Sequence, residues 1–258
     1  MHHVTSFQKT IKTFYEKNRR DFPWRDTHDP YAILVSELML QQTQTERVIP
    51  KYLAFIQKYP NFESLSKASI TEVLSLWSGL GYNRRALYLH KTSKIVVSDF
   101  GGKLPDDEKL LIQFPGIGKY TAGAILSFAF NKKAVFIETN IRRVFIHFFF
   151  SDSDKITDKQ ILQYVERTLP EENYRDWYYA LMDYGASLAK NGENANTKSK
   201  HYVKQSPFEG SRRQLRGKIL RVVLAKGELD YTHTELQGYK KSSINEVFHD
   251  LQSEGLID

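Results

Sequence analysis

Glu37 and Glu138 are the two carboxylates of this 258-residue chain whose neighbours best suit proton transfer and charge stabilisation. In a helix through residues 31–56, Glu37 shares a face with Ile33 and Leu34 one turn earlier. An acid turned onto apolar surface ionises reluctantly, so its pKa is expected to rise, as a general acid needs. Gln41 and Gln44 continue the stripe four and seven positions on, a pattern that an ordinary polar helix face also makes. Glu138 follows the apolar run 134–137 and precedes Thr139 and Asn140, which read as a cap for a helix starting at Ile141. A helix N-terminus holds a carboxylate ionised, although a helix-entry acid with no chemistry has the same surroundings.

A third cluster suits anions. Residues 110–130 read LLIQFPGIGKYTAGAILSFAF, an apolar helix stopped at Phe114 and Pro115, turned by Gly116 and Gly118, and restarted through small residues. Such a helix–hairpin–helix exposes backbone N–H groups at the start of its second helix, and Lys119 adds a cation, so a phosphate is the expected ligand. Eight scattered histidines show no metal-ligand spacing, and no metal site is expected.

These residues must be positioned by helices. Apolar residues recur three or four apart over 7–17, 31–56, 71–77, 84–100, 107–114, 120–130, 141–149, 158–168 and 174–188, and no alternating strand pattern competes. Hydrophobic residues at 41% and charged residues at 26% are near globular averages, and no apolar run reaches membrane-spanning length. Zero cysteines exclude disulfides, cysteine nucleophiles and cysteine-held metal clusters. The opening MHHVTSFQKT lacks an apolar signal core, so a cytoplasmic, nucleoid-associated location is expected.

The net charge of +7 favours polyanionic partners, and it is unevenly spread. Residues 198–218 carry seven basic side chains, Lys198, Lys200 and Lys204 among them, against one acid; residues 228–258 carry two lysines against seven acids. The first stretch reads as a phosphate-facing arm or a solvated linker, and the second as a poor grip on DNA. Around 191–210, Gly, Asn, Ser and Pro mark a linker between a body of residues 1–205 and a module of residues 206–258. Three short helical patterns in that module suggest a small winged-helix-like tail, or a helical cap on the body.

At this point the chain resembles the helix–hairpin–helix DNA glycosylases, and within them the MutY-type adenine glycosylases. The matching stretches are FPWR (22–25), VSELMLQQTQ (35–44), WSGLGYNRRALYLH (77–90), GGKLP (101–105), FPGIGKYTAGAILSFAF (114–130), Asn140 with Arg142 and Arg143, and ALMDYGA (180–186). The resemblance implies an all-α, two-lobed fold: one lobe of about residues 27–137, a second from 1–26 plus 138–205, and DNA across the cleft between them. It implies excision of mispaired adenine, opposite G or 8-oxoguanine, from double-stranded DNA by a monomer with no membrane association.

Carried onto this sequence, the resemblance makes Glu37 the acid that protonates the leaving adenine and Glu138, with Asn140, the group that stabilises the cationic sugar. The family position of Glu138 is typically Asp, so this chain departs by one methylene. Gln42 matches the residue wedged into the base stack during flipping, with Gln41 beside it on DNA. Tyr120 stands where bifunctional relatives similar to endonuclease III carry a Schiff-base lysine, so no strand-cleaving lyase activity is expected. Trp24, Arg25 and Asp183 match base-pocket positions, though a buried Trp–Arg stack explains them equally well. No cofactor is expected, while the resemblance admits a monovalent cation at the hairpin carbonyls. The four cluster-holding cysteines and the lesion-reading domain of the usual family members have no counterpart in the sequence, so the basic 190–206 segment is expected to touch the backbone instead. Two other readings remain: a thymine or uracil mismatch glycosylase, and a DNA-binding homologue without catalysis.

Overall fold

The computed structural model describes residues 2–257. The first helices in chain order are α1 (His2–Asn18), α2 (Pro30–Leu40), α3 (Thr45–Lys58), α4 (Phe62–Ser66), α5 (Ile70–Trp77) and α6 (Arg84–Phe100). They are followed by α7 (Glu108–Leu111), α8 (Lys119–Phe128), α9 (Thr139–Phe149), α10 (Asp158–Thr168) and α11 (Tyr174–Lys190), and then by α12 (Arg212–Lys226) and α13 (Lys241–Ser253). Among the described residues the extended pairing is a single bridge, Ile156 with Ser199, so the fold is all-α as the periodicities require. No helix among these residues is long and apolar enough to cross a membrane.

One expected helix is two. The pattern over 31–56 breaks after Leu40, where Gln42 takes φ +54° and Gln44 becomes the extended N-cap of α3. The cause lies far away in sequence. Arg85 of α6 sends its guanidinium to the carbonyls of Leu38 (2.7 Å), Met39 (2.8 Å) and Gln41 (2.6 Å) and to the Thr43 hydroxyl (3.1 Å). It thereby takes the carbonyls that the end of α2 leaves open. Burial pulls the Arg85 pKa down to about 10. Gln41 and Gln44 therefore do not extend the Glu37 stripe; they belong to the turn.

Contacts group the chain into two compact units. The first comprises Met1–Ile33, Asp106–Ile112 and Ile117–Lys204, and the second Leu34–Pro105, Gln113–Gly116 and Gln205–Asp258. This grouping differs from the lobe limits expected from sequence: 117–137 joins the unit holding α1 and α9 to α11, and the C-terminal module joins the unit of α3 to α6. In the first unit Phe7 of α1 meets Phe145 at 5.4 Å and Trp177 at 5.8 Å, and Phe136 stacks on Tyr178 at 3.9 Å. In the second, Trp77 of α5 is fully buried against Phe55 of α3.

The C-terminal module packs α12 on α13 through Leu215, Ile219 and Val222 on one side and Ile244, Val247 and Leu251 on the other. The middle pattern of the three is a single 3-10 turn, Thr234–Leu236, and no strand follows α13 among the described residues to make a wing. Arg84 of α6 pairs with Glu254 at 2.7 Å, tying the module to the helical unit it belongs to.

Candidate active site

Glu138 is itself the N-cap of α9. Its carboxylate accepts the Ile141 N–H at 2.7 Å, so the helix starts at Thr139, two residues earlier than the sequence suggests. The Asn140 side-chain N–H donates to the other carboxylate oxygen at 3.3 Å, and the Asn140 side-chain oxygen accepts from Arg143 at 2.8 Å. Arg143 also donates to the Gly185 carbonyl at 2.7 Å. Gly185, from the ALMDYGA stretch, has no side chain because none fits: a Cβ there would lie 2.3 Å from the Asn140 carbonyl oxygen. The start of α9 is thus pressed backbone to backbone onto α11.

Two further contacts fix this helix. Arg142 makes a bidentate pair with Asp158 at 2.9 and 2.8 Å, which holds the Asp158 carboxyl below its usual range. Asn196 is buried and donates to the Thr139 carbonyl at 3.0 Å. Around Glu138 desolvation is the largest influence and pushes its carboxyl above the ordinary value, against the cap N–H groups and the charges of Arg143 and Arg142. The cap N–H groups favour the ionised form, as the sequence leads one to expect, while burial opposes them. Burial in turn lowers Arg143.

Arg25 and Asp183 are brought together, sealed from solvent. Arg25 gives two parallel hydrogen bonds of 2.8 Å to Asp183, and Arg20 adds its N–H at 3.0 Å and its Nε at 2.6 Å. Burial alone would raise Asp183, yet the hydrogen bonds and charges of Arg25 and Arg20 leave its carboxyl below the usual range. Trp24 stacks on Phe22 at 5.2 Å, while the Arg25 guanidinium lies 4.4 Å from the Tyr179 ring centre. Arg25 and Asp183 thus hold each other in place.

Of the hairpin glycines only Gly116 needs a left-handed backbone, at φ +77°. Gly118 is extended, φ −92°, and as N-cap of α8 it supplies no side-chain cap. Lys119 follows, exposed, and Tyr120 turns its ring edge to Phe136 at 5.8 Å. In the second unit Glu37 sits on α2 and is 4% exposed. The surrounding residues 31–39 are all buried, so α2 is enclosed on every side. Glu37 and Glu138 fall in different units, and Gln41 and Gln42 stand beside Glu37 in the turn that Arg85 caps.

Of the basic arm, Lys200 and Lys204 are exposed, whereas the Lys198 ammonium donates to the Ser151 carbonyl. The segment that would carry the family's cluster cysteines is held by that contact, by Asn196 and by the Ile156–Ser199 bridge, and it offers no thiolate. It does not fit an iron–sulfur cluster. Among the described residues no group of three His, Asp or Glu side chains could hold a metal ion.

Sequence reasoning assigns no role to Arg85, Arg143, Arg175 or Asn196. Arg175 is buried and donates to the carbonyls of Arg25 (2.7 Å), Thr27 (2.6 Å) and Phe128, the last residue of α8. The one available signal for Arg85 is its place in the motif LGYNRRA.

The chain is 41% identical over 184 residues to the adenine DNA glycosylase of Buchnera aphidicola subsp. Baizongia pistaciae (strain Bp), covering 70% of this chain and 52% of that protein. It is 36% identical over 185 residues to the thymine/uracil-DNA glycosylase of Methanothermobacter thermautotrophicus, 70% of this chain and 84% of that one. The solved structure of a thermostable thymine-DNA glycosylase superposes with a TM-score of 0.65 at 34% identity, over 72% of this chain and 87% of the other. The chain thus spans about half the length of that adenine glycosylase and most of the thymine enzyme. Residues 35–171 match the family model for the HhH-GPD superfamily base excision DNA repair protein, and the chain belongs to that superfamily.

Proposed function

We propose that the chain is a monofunctional DNA glycosylase that removes mispaired adenine, opposite G or 8-oxoguanine, from duplex DNA. The observation that carries the reading is Glu37, a carboxylic acid enclosed on an otherwise apolar helix and followed at once by the glutamine turn. An enclosed acid can deliver a proton to adenine N7 as the bond from N9 to the sugar C1′ breaks, so the base departs neutral. The sugar becomes an oxocarbenium-like cation, which an ionised Glu138 stabilises while water adds to C1′. Asn140 holds that carboxylate in place. Gln42 fills the gap left by the extruded base. Tyr120 offers no amine for a Schiff base, so the product is an abasic site in an intact strand, and borohydride should trap no protein–DNA adduct. The reaction as written needs no cofactor, and its setting is the DNA-containing compartment.

A second reading has a specific observation behind it, the thymine/uracil glycosylase relative that this chain covers over most of its length. Single-turnover excision across duplexes pairing A, T or U with G or 8-oxoguanine separates the two. Adenine should leave fastest, because a pyrimidine has no N7 for Glu37 to protonate. Faster loss of T or U transfers the chain to the second reading, and binding without excision of any base points to a homologue that has lost catalysis.

A further inference from the structure

The chain as a whole is basic, yet one cavity of its first unit is acidic. It has a volume of about 630 Å³ and is walled by α1, by the turn 169–173 and by the first two turns of α11. Lys12 is the one cation among the lining residues, against Glu16 from α1, Glu171 and Glu172 from the turn, and Asp176 from α11. Among the described residues none of these four carboxylates is in an ion pair. Helix electrostatics account for Asp176, which stands in the first turn of α11, where any helix favours an acid. Glu16 is the reverse case. It stands in the last turn of α1, where an acid opposes the helix dipole, so the fold itself does not balance its charge.

The same wall carries donors in need of an acceptor. Trp177 lines the cavity and is 3% exposed, and its Nε1–H, which can only donate, has no partner among the described residues. The hydroxyl of Tyr15, also on the wall, has none either. A buried donor left unpaired is costly, so a carbonyl oxygen that reaches these atoms is held strongly. The carboxylates make a different demand. Among the described residues no three acids come close enough to share a metal ion, so the four spread over this wall call for separate cations. A peptide bearing lysine or arginine meets both demands, with side-chain cations for the carboxylates and main-chain carbonyls for the donors. A nucleic-acid backbone meets neither, because its phosphates are repelled.

We propose that this cavity is the docking site for a lysine- or arginine-rich peptide segment of a partner protein. Glu16, Glu171, Glu172 and Asp176 take its cations, and the Trp177 indole and the Tyr15 hydroxyl take its carbonyls. Charge then sorts two kinds of partner within the first unit: phosphates go to the exposed Lys119, Lys200 and Lys204, and the basic peptide goes to the acids between α1 and α11. None of the cavity's residues has a part in the proposed excision, so the two readings stand or fall separately.

The test uses the full chain and two probes of like charge: an eight-residue peptide alternating lysine and glycine, acetylated and amidated, and spermine, which has amines but no carbonyl. Affinities are measured by calorimetry at low salt. Wild type should bind the peptide more tightly than spermine. Glu171→Gln with Glu172→Gln should weaken peptide binding about tenfold, as expected for two ion pairs lost. Asp152→Asn with Asp154→Asn removes the same charge from exposed positions outside the cavity and should change the affinity by no more than about twofold. Tyr15→Phe deletes one hydroxyl and should weaken the peptide about fivefold, one hydrogen bond, while leaving spermine unaffected. Unchanged thermal midpoints show that each variant keeps the fold. No binding of the peptide by wild type, equal weakening by the two double variants, or a Tyr15→Phe variant that binds the peptide like wild type overturns the proposal. Spermine bound as tightly as the peptide overturns it too, and makes the cavity a polyamine site.

Discussion

Arg25 and Arg212 each hold a carboxylate oxygen at 2.8 Å, Arg25 that of Asp183 and Arg212 that of Glu246. Their surroundings reverse what the contact does. The Arg25 and Asp183 side chains are 2% and 1% exposed, against 49% and 66% for Arg212 and Glu246. Removing two charges from water costs several kcal/mol each, recovered only when every lone pair finds a donor, and Asp183 meets that demand with two bonds from Arg25 and two from Arg20. Other buried arginines avoid carboxylates: Arg85 and Arg175 each gather several backbone carbonyls, and Arg143 takes one with an amide oxygen. In the C-terminal module the Arg212 pairs are wet and their partners exchangeable. The same side chain therefore fixes backbone around the candidate catalytic groups and, in the module, supplies charge that a phosphate can claim.

The sharpest way to break this contrast is Asp183→Asn, which keeps the shape and leaves Arg25 and Arg20 without a counter-charge. Loss of one member of a buried pair costs about 3–5 kcal/mol, read as a lower urea midpoint. A midpoint equal to wild type would mean that the carbonyl contacts of Arg175 and Arg25 suffice without the carboxylate. Glu138→Gln probes the opposite case, a buried carboxylate kept at a cost. Burial raises the Glu138 pKa above its ordinary value of 4.5, so between those two values the folded state binds more protons and stability falls as pH rises. Glutamine removes that slope and still accepts the Ile141 N–H. At neutral pH the variant should unfold no earlier than wild type, while its single-turnover excision falls about a hundredfold. Wild-type excision, which in the proposed mechanism needs the ionised form, should decline as pH drops through the raised pKa, earlier than an ordinary glutamate would dictate. A variant both less stable and fully active would remove Glu138 from the mechanism.

The parts of the molecule visible in the sequence are those whose cause is local. Asp107 caps α7 by accepting the Leu110 N–H, the hairpin turns at Gly116, and the apolar spacing of α9 and α10 locates both helices to within a few residues. The break between α2 and α3 is hidden because nothing within QQTQ ends a helix; Arg85, more than forty residues on, does. The candidate carboxylates are legible from their flanking residues and the family resemblance, but their surroundings are not. Gly185 against Asn140 and Asn196 against Thr139 are contacts between distant segments, which no period along the chain encodes. The C-terminal module reads correctly as helical but with one helix too many, since Thr234–Leu236 makes only a 3-10 turn.

On the exposed side of the comparison the effects should shrink. Arg212→Ala removes contacts to Glu246 and Asp250 that water already competes for. The thermal midpoint should move by no more than about 3 °C. A larger fall would show that the module's ion pairs act as one network with Arg216 and Arg84.

The smallest effect on stability, and the most specific on DNA, belongs to the arm Lys198, Lys200 and Lys204. Counterion release makes the logarithm of affinity fall with the logarithm of salt by about 0.9 for each phosphate contacted. Three free lysines would give three such contacts, but the Lys198 ammonium is engaged by the Ser151 carbonyl, while Lys200 and Lys204 face solvent. Lys200→Ala with Lys204→Ala should therefore flatten the slope by about 1.8 and weaken binding to matched and mismatched duplexes alike, because phosphates carry no sequence information. Adding Lys198→Ala should leave the slope where the double change put it, and should instead loosen the turn at Ser151, detectable as faster amide exchange there. A slope unchanged by all three would make the segment a solvated connector. A further flattening by about 0.9 on adding Lys198→Ala would mean that the lysine gives up Ser151 for a phosphate when DNA arrives, and that the arm behaves like the module's arginines and unlike Arg25.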